Sequence, residues 1–268
     1  QTNYKNILSN LPEVDAILED NREFIFRSTK KILKFVYKYQ IKLIIDLQNS
    51  SRTQFYNFFI QYFTKANILS SRRFSTYSYQ QKPQGFQHIT DNHRDQLEKI
   101  GINHYQISNL NWMIKKKEVR NTKPYVIFIP GASKTGDYKR WPTNYYGAIA
   151  NYLVNKKYDI YLTGSKLDEG VINEIIRICP VAKNKIEESK IDDFYDLCLN
   201  SSLIISNDTG PAHIAGLTNQ RLIWLANDNK ISLSCHPLGK NVYKIKSKSV
   251  KDIHPNQVIQ KIDYVLNI

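Results

Sequence analysis

Residues 203–213 read Leu-Ile-Ile-Ser-Asn-Asp-Thr-Gly-Pro-Ala-His, and this stretch decides the fold class. Its short apolar run predicts a buried strand that ends at Ser206, and Pro211 suits the first turn of a following helix. Residues 207–210 form a polar turn between the two. A strand, a tight turn and a helix in this order predict one unit of an α/β domain that is built on a parallel sheet.

The same alternation extends over the rest of the chain, where short apolar runs are followed by amphipathic stretches with a helical period. In the second half it predicts strands at residues 125–129, 159–163 and 221–226, and helices at residues 144–154, 168–178 and 191–200. In the first half it predicts helices at residues 24–39 and 91–100, a third helix that ends near residue 65, a strand at residues 42–46, and a surface loop at residues 70–83. The polar and basic residues 109–123 predict a linker, with one domain at residues 1–120 and a second at residues 121–268.

Composition and charge narrow the class of protein. The chain has 268 residues, 41% hydrophobic and 12% aromatic, so it can bury a core and is not a disordered chain. No apolar run reaches the roughly 18 residues that a membrane-spanning helix requires. Cys179, Cys198 and Cys235 lack the spacing of a disulfide framework or a zinc site. The 38 basic and 24 acidic residues give a net charge of +14, which predicts a polyanionic partner such as nucleic acid, anionic lipid or a phosphorylated substrate.

The turn after residues 203–206 is the first candidate binding site. Unpaired N–H groups at a helix N-terminus and the helix dipole both favour an anion. The hydroxyl of Thr209 and the ring of His213, one turn into the helix, are expected to converge on that anion. The alternative is an ordinary strand-to-helix turn with a surface histidine, and local chemistry alone does not decide between the two.

The second candidate is the loop at residues 130–142, Pro-Gly-Ala-Ser-Lys-Thr-Gly-Asp-Tyr-Lys-Arg-Trp-Pro, directly after a predicted strand. Its glycines and the cations Lys134, Lys139 and Arg140 suit a diphosphate. The loop is not a P-loop, since Asp and Tyr follow its second glycine where that motif requires Lys and then Ser or Thr. We expect Trp141 to pack beneath the loop. Taken alone, the pattern also fits a solvated surface loop.

In this order and at this separation, the two segments resemble glycosyltransferase family 9, the lipopolysaccharide heptosyltransferases. The matching motifs of the second half are Pro130-Gly131-Ala132, Lys139-Arg140-Trp141-Pro142, Thr163-Gly164 followed by Asp168-Glu169, and Asp208-Thr209-Gly210-Pro211-Ala212-His213. In the first half, Leu11-Pro-Glu-Val-Asp15 and Leu43-Ile-Ile-Asp-Leu-Gln-Asn-Ser-Ser-Arg52 are similar to passages of the family more loosely.

The resemblance implies an α/β GT-B fold, in which two Rossmann-like domains face each other across a cleft and the N-terminal one is incomplete at its start. Residues 1–120 would form the acceptor-side domain and residues 121–268 the domain for the nucleotide-sugar donor, with the last helix packing back on the first domain. The implied reaction is inverting transfer of a heptose from ADP-heptose to an anionic lipopolysaccharide precursor, without cofactor or metal. The implied location is the cytoplasm, peripheral to the inner face of the inner membrane, with no nucleic acid as partner.

The resemblance also assigns site residues. Lys139 and His213 would stabilise the leaving ADP, and Asp208 would orient the loop or the donor sugar. The implied donor-binding residues are Ser133, Lys139, Gly164, Asp168, Glu169, Asp208, Thr209, Gly210 and His213. Family members carry the base for the acceptor hydroxyl on a Gly-Asp loop after their first strand. No residue of this chain matches that loop, so none is assigned as the base, and Asp46 is expected to be structural.

Three other functions remain open at this point. The chain could use another nucleotide sugar, or keep the donor site as a catalytically inactive relative. A basic nucleic-acid-binding protein would need clustered cations interleaved with exposed aromatic residues. Arg72 and Arg73, close in sequence to Tyr77, Tyr79 and Phe86, are a weak candidate for that pattern. The same two arginines and the lysines at residues 115–117 are also candidates to contact an anionic acceptor or the inner leaflet.

Overall fold

The computed structural model describes residues 5–9, 11–104, 110, 112, 123–133, 135–186 and 191–268. Packing divides the chain into two units, Gln1–Ser108 and Asn109–Ile268. Most of the predicted linker at residues 109–123, including the basic run 115–117, lies outside the described residues, as does Lys134. The domain limits drawn from the sequence therefore stay predictions.

The first unit is a small parallel sheet covered by helices. Its helices are α1 (Lys5–Leu8), α2 (Ile25–Lys38), α3 (Ser51–Phe63) and α4 (Ile89–Glu98), and its strands are β1 (Leu43–Ile45), β2 (Asn67–Ser70) and β3 (Tyr77–Ser78). The strand order is β1-β2-β3, and both pairs are parallel. Helices α2 and α3 cover a core that is formed by Val36, Tyr56, Ile60, Ala66 and Ile68.

Residues 70–83 differ from the surface loop that their composition predicts. They contain strand β3, and the side chain of Tyr79 is buried, with its hydroxyl donating to Asn92 Oδ1 at 2.9 Å. Strand β3 has only two residues, and both are exposed, so it leaves no alternation of apolar and polar residues in the sequence. Strand β3 is held in place by pairing with β2, whose last three residues are buried.

Asp46 at the end of β1 is structural, as expected. Its buried carboxylate accepts hydrogen bonds from the backbone N–H groups of Gln48 at 3.1 Å and Asn49 at 2.9 Å. The Nδ2 of Asn57 and the hydroxyl of Ser70 donate to its other oxygen at 3.2 Å and 3.3 Å. With four donors, this buried carboxylate is satisfied within the protein, and it joins the end of β1 to the end of β2.

The second unit has the larger sheet. Its strands are β4 (Tyr125–Ile129), β5 (Asp159–Leu162), β6 (Lys183–Asn184), β7 (Leu203–Asn207), β8 (Leu222–Asn227) and β9 (Val242–Ser247). Its helices are α5 (Thr143–Asn155), α6 (Glu169–Ile178), α7 (Ile191–Leu199), α8 (Gly210–Leu217), α9 (Lys230–Ser234) and α10 (Pro255–Leu266). Short 3-10 helices occupy Asp137–Lys139, Lys166–Asp168 and Val250–Asp252. The helices and strands predicted for this half agree with these bounds to within about two residues. Elements β6, β9 and α9 lack a predicted counterpart, and α10 is predicted only as a last helix without bounds.

All six strands are parallel and follow the order β6-β5-β4-β7-β8-β9. Counted from β4 as the first strand, this is the 3-2-1-4-5-6 order of the Rossmann fold, whose crossovers diverge between β4 and β7. Every residue of these two strands is buried, as expected for central parallel strands that are covered on both faces. Helices α5, α6 and α10 cover one face, and helices α7 and α8 cover the other.

The C-terminal helix α10 belongs to the core of the second unit. It packs against α5, and its residues Val258 and Ile262 are fully buried there. Just before this helix, the backbone carbonyl of Ile253 accepts a hydrogen bond from Trp141 Nε1 at 2.8 Å. The end of the chain is thereby joined to the loop that follows β4. Contact of this helix with the first domain stays a prediction.

Candidate functional site

The loops after β4, β5 and β7 meet at the carboxyl edge of the larger sheet. Strands β4 and β7 are direct neighbours, with Ile129 opposite Ser206 at their ends. Because the crossovers on either side of this pair run in opposite directions, the two loops separate and leave a crevice. Both segments that the sequence singled out, residues 130–142 and residues 206–213, therefore lie at the place where open α/β sheets bind ligands.

Asn207 joins the two loops, a role that its place in the predicted turn did not indicate. Its buried Nδ2 donates to the carbonyl of Pro130 at 2.7 Å. Its Oδ1 accepts from the backbone N–H of Trp141 at 3.2 Å and from the hydroxyl of Tyr146 at 3.0 Å. Burial raises the pKa of Tyr146, which keeps this phenol protonated as a donor. The sequence does hold one signal for this role, because Asn207 is a polar residue at the end of a strand that is buried throughout.

Lys139 and Asp208 form an ion pair that spans the two loops. Lys139 ends the 3-10 helix Asp137–Lys139, and its Nζ lies 2.7 Å from Asp208 Oδ2. The two side chains are 23% and 12% exposed, so the pair lies at the surface of the crevice and not in the core. The carboxylate of Asp208 therefore holds the ammonium group of Lys139 where an incoming anion would meet it.

Arg140, which the sequence grouped with the phosphate-binding cations, is used inside the loops. Its guanidinium donates to Asp137 at 3.0 Å, to Asp168 at 3.2 Å and to the carbonyl of Ala132 at 3.2 Å. The bonds to Asp137 and Ala132 brace the loop after β4, and the bond to Asp168 connects it to the loop after β5. Trp141 packs beneath the loop as expected, 1% exposed and edge-on to Tyr146.

The two acidic candidates after β5 have different surroundings. The carboxylate of Asp168 is buried and also accepts from the backbone N–H of Ser165 at 3.0 Å and its hydroxyl at 2.8 Å. A Cβ atom on Gly131 would lie 2.6 Å from this carboxyl group, so only glycine fits there. Glu169 is exposed at the start of α6. Asp168 thus fixes the loops, while Glu169 faces solvent.

Helix α8 begins at the mouth of the crevice. Its N-cap residue Thr209 has an extended backbone, and the Thr209 hydroxyl makes no capping hydrogen bond. Gly210 is exposed, and a Cβ atom added there would meet nothing within 4 Å. His213 lies half-buried one turn further on. Pro211 has no N–H, and the N–H of Ala212 donates to the carbonyl of Thr209 at 3.1 Å, so the N–H of Gly210 is the backbone donor that this end offers to a ligand.

A pocket of about 370 Å³ opens beside the start of α8. Its walls are mainly apolar, and the side chains of Ile129, Phe194, Pro211 and Ile214 supply most of them. Of the predicted donor-binding residues, it is lined by Ser133, Gly164, Asp168 and Thr209. The structure brings Lys139 to Asp208 at the crevice, but neither residue lines the pocket, and Glu169, Gly210 and His213 also lie outside its wall. An apolar slot next to a cluster of anion-binding groups suits a planar ring that carries phosphates.

The part of the chain that the structure describes has neither a metal-binding cluster nor a membrane-spanning helix. No group of three or more His, Cys, Asp or Glu side chains is arranged there to hold a metal ion. Among the same residues, no helix has both the length and the apolar character that crossing a bilayer requires.

A Rossmann unit with anion-binding features at its strand crossover is typical of nucleotide-binding α/β proteins. The sequence profile of glycosyltransferase family 9 (heptosyltransferase) matches residues 29–254. This match covers most of the chain, and the chain therefore belongs to glycosyltransferase family 9.

Known relatives agree with this assignment. The lipooligosaccharide heptosyltransferase 2 of Haemophilus influenzae is 32% identical over 125 residues, which are 45% of this chain and 36% of that protein. The chain spans half or less of the length of the curated relatives it matches.

Solved structures are similar over nearly the whole chain. The E. coli ADP-heptose lipopolysaccharide heptosyltransferase II has a TM-score of 0.73 at 18% identity, covering 99% of this chain and 87% of that one. The E. coli heptosyltransferase WaaC with ADP has a TM-score of 0.73 at 14% identity, covering 99% and 88%. These likenesses concern the fold, and they confirm the predicted α/β GT-B class.

Proposed function

We propose that this chain acts as an inverting glycosyltransferase that moves a heptose from ADP-heptose to an anionic lipopolysaccharide precursor. The observation that carries the proposal is the Lys139–Asp208 ion pair beside the N-terminus of α8, at the crossover of a Rossmann sheet. Membership of glycosyltransferase family 9 and the likeness to a heptosyltransferase that holds ADP support it.

The start of α8 is the proposed site of the donor diphosphate. The N–H of Gly210 and the hydroxyl of Thr209 would donate to its oxygens, and the ring of His213 lies one turn along the same helix. The ammonium group of Lys139, kept in place by Asp208, would neutralise charge on the departing diphosphate. Because that charge grows as the bond to the sugar breaks, a fixed cation stabilises the transition state more than the bound donor.

The apolar pocket beside α8 is the proposed site of the adenine ring. Phe194 and Ile214 offer apolar surface to a planar base, and the hydroxyl oxygen of Ser165 in the same wall can accept from a ribose hydroxyl while it donates to Asp168. Asp168 is already bound by Arg140 and Ser165, so its part is to shape the wall. The exposed Glu169 is the one of the two acids that keeps its carboxylate available for a donor hydroxyl.

The acceptor side of the proposal rests on the family alone. A base must take the proton of the acceptor hydroxyl as the new bond forms, and no residue of this chain is assigned to that step. The proposed location is the cytoplasm at the inner face of the inner membrane, with the acceptor held by its anionic groups.

Calorimetric titration of the chain with ADP-heptose, ADP and UDP-glucose tests the donor assignment. We expect the two adenine ligands to bind and UDP-glucose to bind at least about tenfold more weakly, because the apolar walls bury more of a purine than of a pyrimidine. Replacing Lys139 with Met should weaken ADP binding by about tenfold or more, since a charge-assisted contact contributes about 1.5–3 kcal/mol.

Lys246→Met is the matched control, because Lys246 makes a similar ion pair with Asp228 at 2.8 Å on strand β9. This variant should bind ADP like the parent chain. Equal affinity of the Lys139 variant and the parent would overturn the proposed phosphate site. Tighter binding of UDP-glucose than of ADP would leave a GT-B transferase with a different donor.

A further inference from the structure

A surface of exposed aromatic side chains covers helices α2 and α3 of the first unit. We name it the aromatic face, and its residues are Phe24, Phe26, Phe58, Tyr62, Phe63 and Phe74. Tyr62 is 75% exposed and Phe24 is 73% exposed, which is unusual for rings of this size. Soluble proteins rarely leave a contiguous apolar patch of this kind without a partner.

Ring-to-ring contacts hold the aromatic face in a fixed arrangement. Phe26 on α2 packs edge-on against Phe55 of α3 at 5.3 Å, and Phe58 packs edge-on against Phe74 at 5.0 Å. At the other end of the two helices, the hydroxyl of Tyr37 donates to the carbonyl of Phe63. The rings are therefore part of the folded surface of the helix pair and are not loose side chains.

The charge around the aromatic face is mainly positive, although Glu23, directly before Phe24, pairs with Lys31 at 2.7 Å and with Arg27 at 3.3 Å, and Asp20 pairs with Arg52 at 3.1 Å. Between residues 24 and 90 the sequence has eleven Lys and Arg residues and a single acidic residue, Asp46, which is buried. On α2, the exposed Lys30 and Lys34 follow Phe26 at intervals of four, so the three side chains share one side of the helix. Next to the rings of α3, Lys65 is also exposed.

A groove of about 520 Å³ continues the aromatic face past the ends of α2 and α3. Tyr37, Tyr62 and Phe63 supply aromatic surface to it, and Lys42 and Lys65 supply positive charge. Like the aromatic face, the groove therefore has aromatic rings with lysines beside them.

We propose that the aromatic face docks this unit on an anionic lipid bilayer. Aromatic rings favour the interface between headgroups and acyl chains, and lysines beside them are attracted by anionic headgroups. A protein partner would bury the rings but would not require so one-sided a charge. Some of these rings pack edge-on, at 82° for Phe26–Phe55, and others stack, at 21° for Phe58–Tyr62, so ring geometry also suits nucleic acid, and the oligonucleotide measurement below separates the two partners.

This inference rests on the proposed function at one point, namely that the proposed acceptor is linked to a lipid and therefore lies in a membrane. Its test measures vesicle binding in the absence of any sugar donor, so its failure is distinct from failure of the donor site. Co-sedimentation of the full chain would be compared between vesicles of phosphatidylethanolamine with phosphatidylglycerol and vesicles of phosphatidylcholine, at low and high NaCl. We expect about tenfold stronger binding to the anionic vesicles at low salt, and loss of that preference at high salt.

Two pairs of variants assign the binding to this surface. Phe26→Ser with Tyr62→Ser should lower binding at both salt concentrations, and Lys30→Gln with Lys34→Gln should lower it about tenfold at low salt only. The controls lie in the second unit. Tyr264→Ser removes a ring that is 69% exposed, and Lys248→Gln with Lys251→Gln removes two exposed charges. Thermal melting confirms that each variant is folded.

Several outcomes would overturn the proposal. They are absence of vesicle binding, equal binding to neutral vesicles, and equal loss in the control variants. Binding of a thymidine oligonucleotide that the Phe26 and Tyr62 changes abolish would assign the surface to nucleic acid. A dimer in light scattering that the same changes dissociate would assign it to a second copy of the chain.

Discussion

At the scale of single residues, the candidate site depends on side chains whose partners are distant in sequence. Asn207 hydrogen bonds to Pro130, Trp141 and Tyr146, which lie more than sixty positions away. The sequence motif marked the turn and its anion-binding residues, because strand, turn and helix are local features. It could not indicate that Asn207 and Arg140 hold the loops together, since those contacts exist only after β4 and β7 pair.

Replacing Asn207 with Leu tests this role. The change removes three hydrogen bonds and leaves the carbonyl of Pro130 and the hydroxyl of Tyr146 without their partner in a buried site. We expect the free energy of unfolding of the second unit to fall by about 3 kcal/mol, as measured by urea denaturation. Asn151→Leu is the control, because Asn151 is exposed and makes one bond, to Ile178 at 3.2 Å. A similar loss in both variants would contradict the assigned role.

At the scale of elements, helices were the most predictable features. Predicted helices at residues 24–39 and 144–154 correspond to α2 and α5, since each carries an apolar stripe with a period that only a helix satisfies. Strands β3 and β6 have two residues each, which is too short for any alternation to appear. Strand β9 has only half-buried and exposed residues and carries two lysines, so it lacks the apolar run of the central strands.

The start of α8 gives a prediction at this scale. Gly210→Ala should leave the protein as stable as before or stabilise it slightly, because the new methyl group meets nothing and alanine restricts the unfolded chain. The same methyl group would occupy the space through which an anion reaches the N–H of Gly210. We therefore expect ADP affinity, measured by calorimetry, to fall by about tenfold or more.

Gly170→Ala provides a matched comparison, because Gly170 lies in the first turn of α6 and its added Cβ atom also meets nothing within 4 Å. It should change stability in the same direction as Gly210→Ala and leave ADP affinity intact. If the Gly210 variant also binds ADP normally, the anion does not approach the backbone at this point.

At the scale of the whole molecule, the two units have separate cores of very different size. The second unit buries residues on both faces of its four central strands β5, β4, β7 and β8, whereas the first buries a small set between two helices and a three-stranded sheet. We expect calorimetry to resolve two unfolding transitions, of which the one at lower temperature belongs to the first unit.

Acid should affect the lower transition through Asp20. Burial alone would raise the pKa of this carboxyl, but hydrogen bonds from Arg52, Tyr56 and Ser28 outweigh it and hold the pKa well below its usual range. A lowered folded pKa stabilises the unit above the unfolded value of about 3.9, and this stabilisation is lost as the pH falls further. The lower transition should therefore drop in temperature below about pH 4.

Asp20→Asn should reduce this dependence on acid, because the group that takes up the proton is gone. The exposed Asp15 is a suitable control, and Asp15→Asn should keep the steep fall of the parent chain. Identical pH profiles for Asp20→Asn and the parent would show that other carboxylates govern the acid response.

The hydrogen bond from Trp141 to the carbonyl of Ile253 has a practical consequence for how this protein is divided for study. Trp141 directly follows Lys139 and Arg140, so the last part of the chain supports the loop on which the proposed phosphate contact depends. A fragment that ends before Ile253 would keep every proposed donor-binding residue but would lose the carbonyl that anchors Trp141 and, with it, the loop after β4. The C-terminal segment is thus a structural component of the ligand-binding half, although none of its residues lines the pocket.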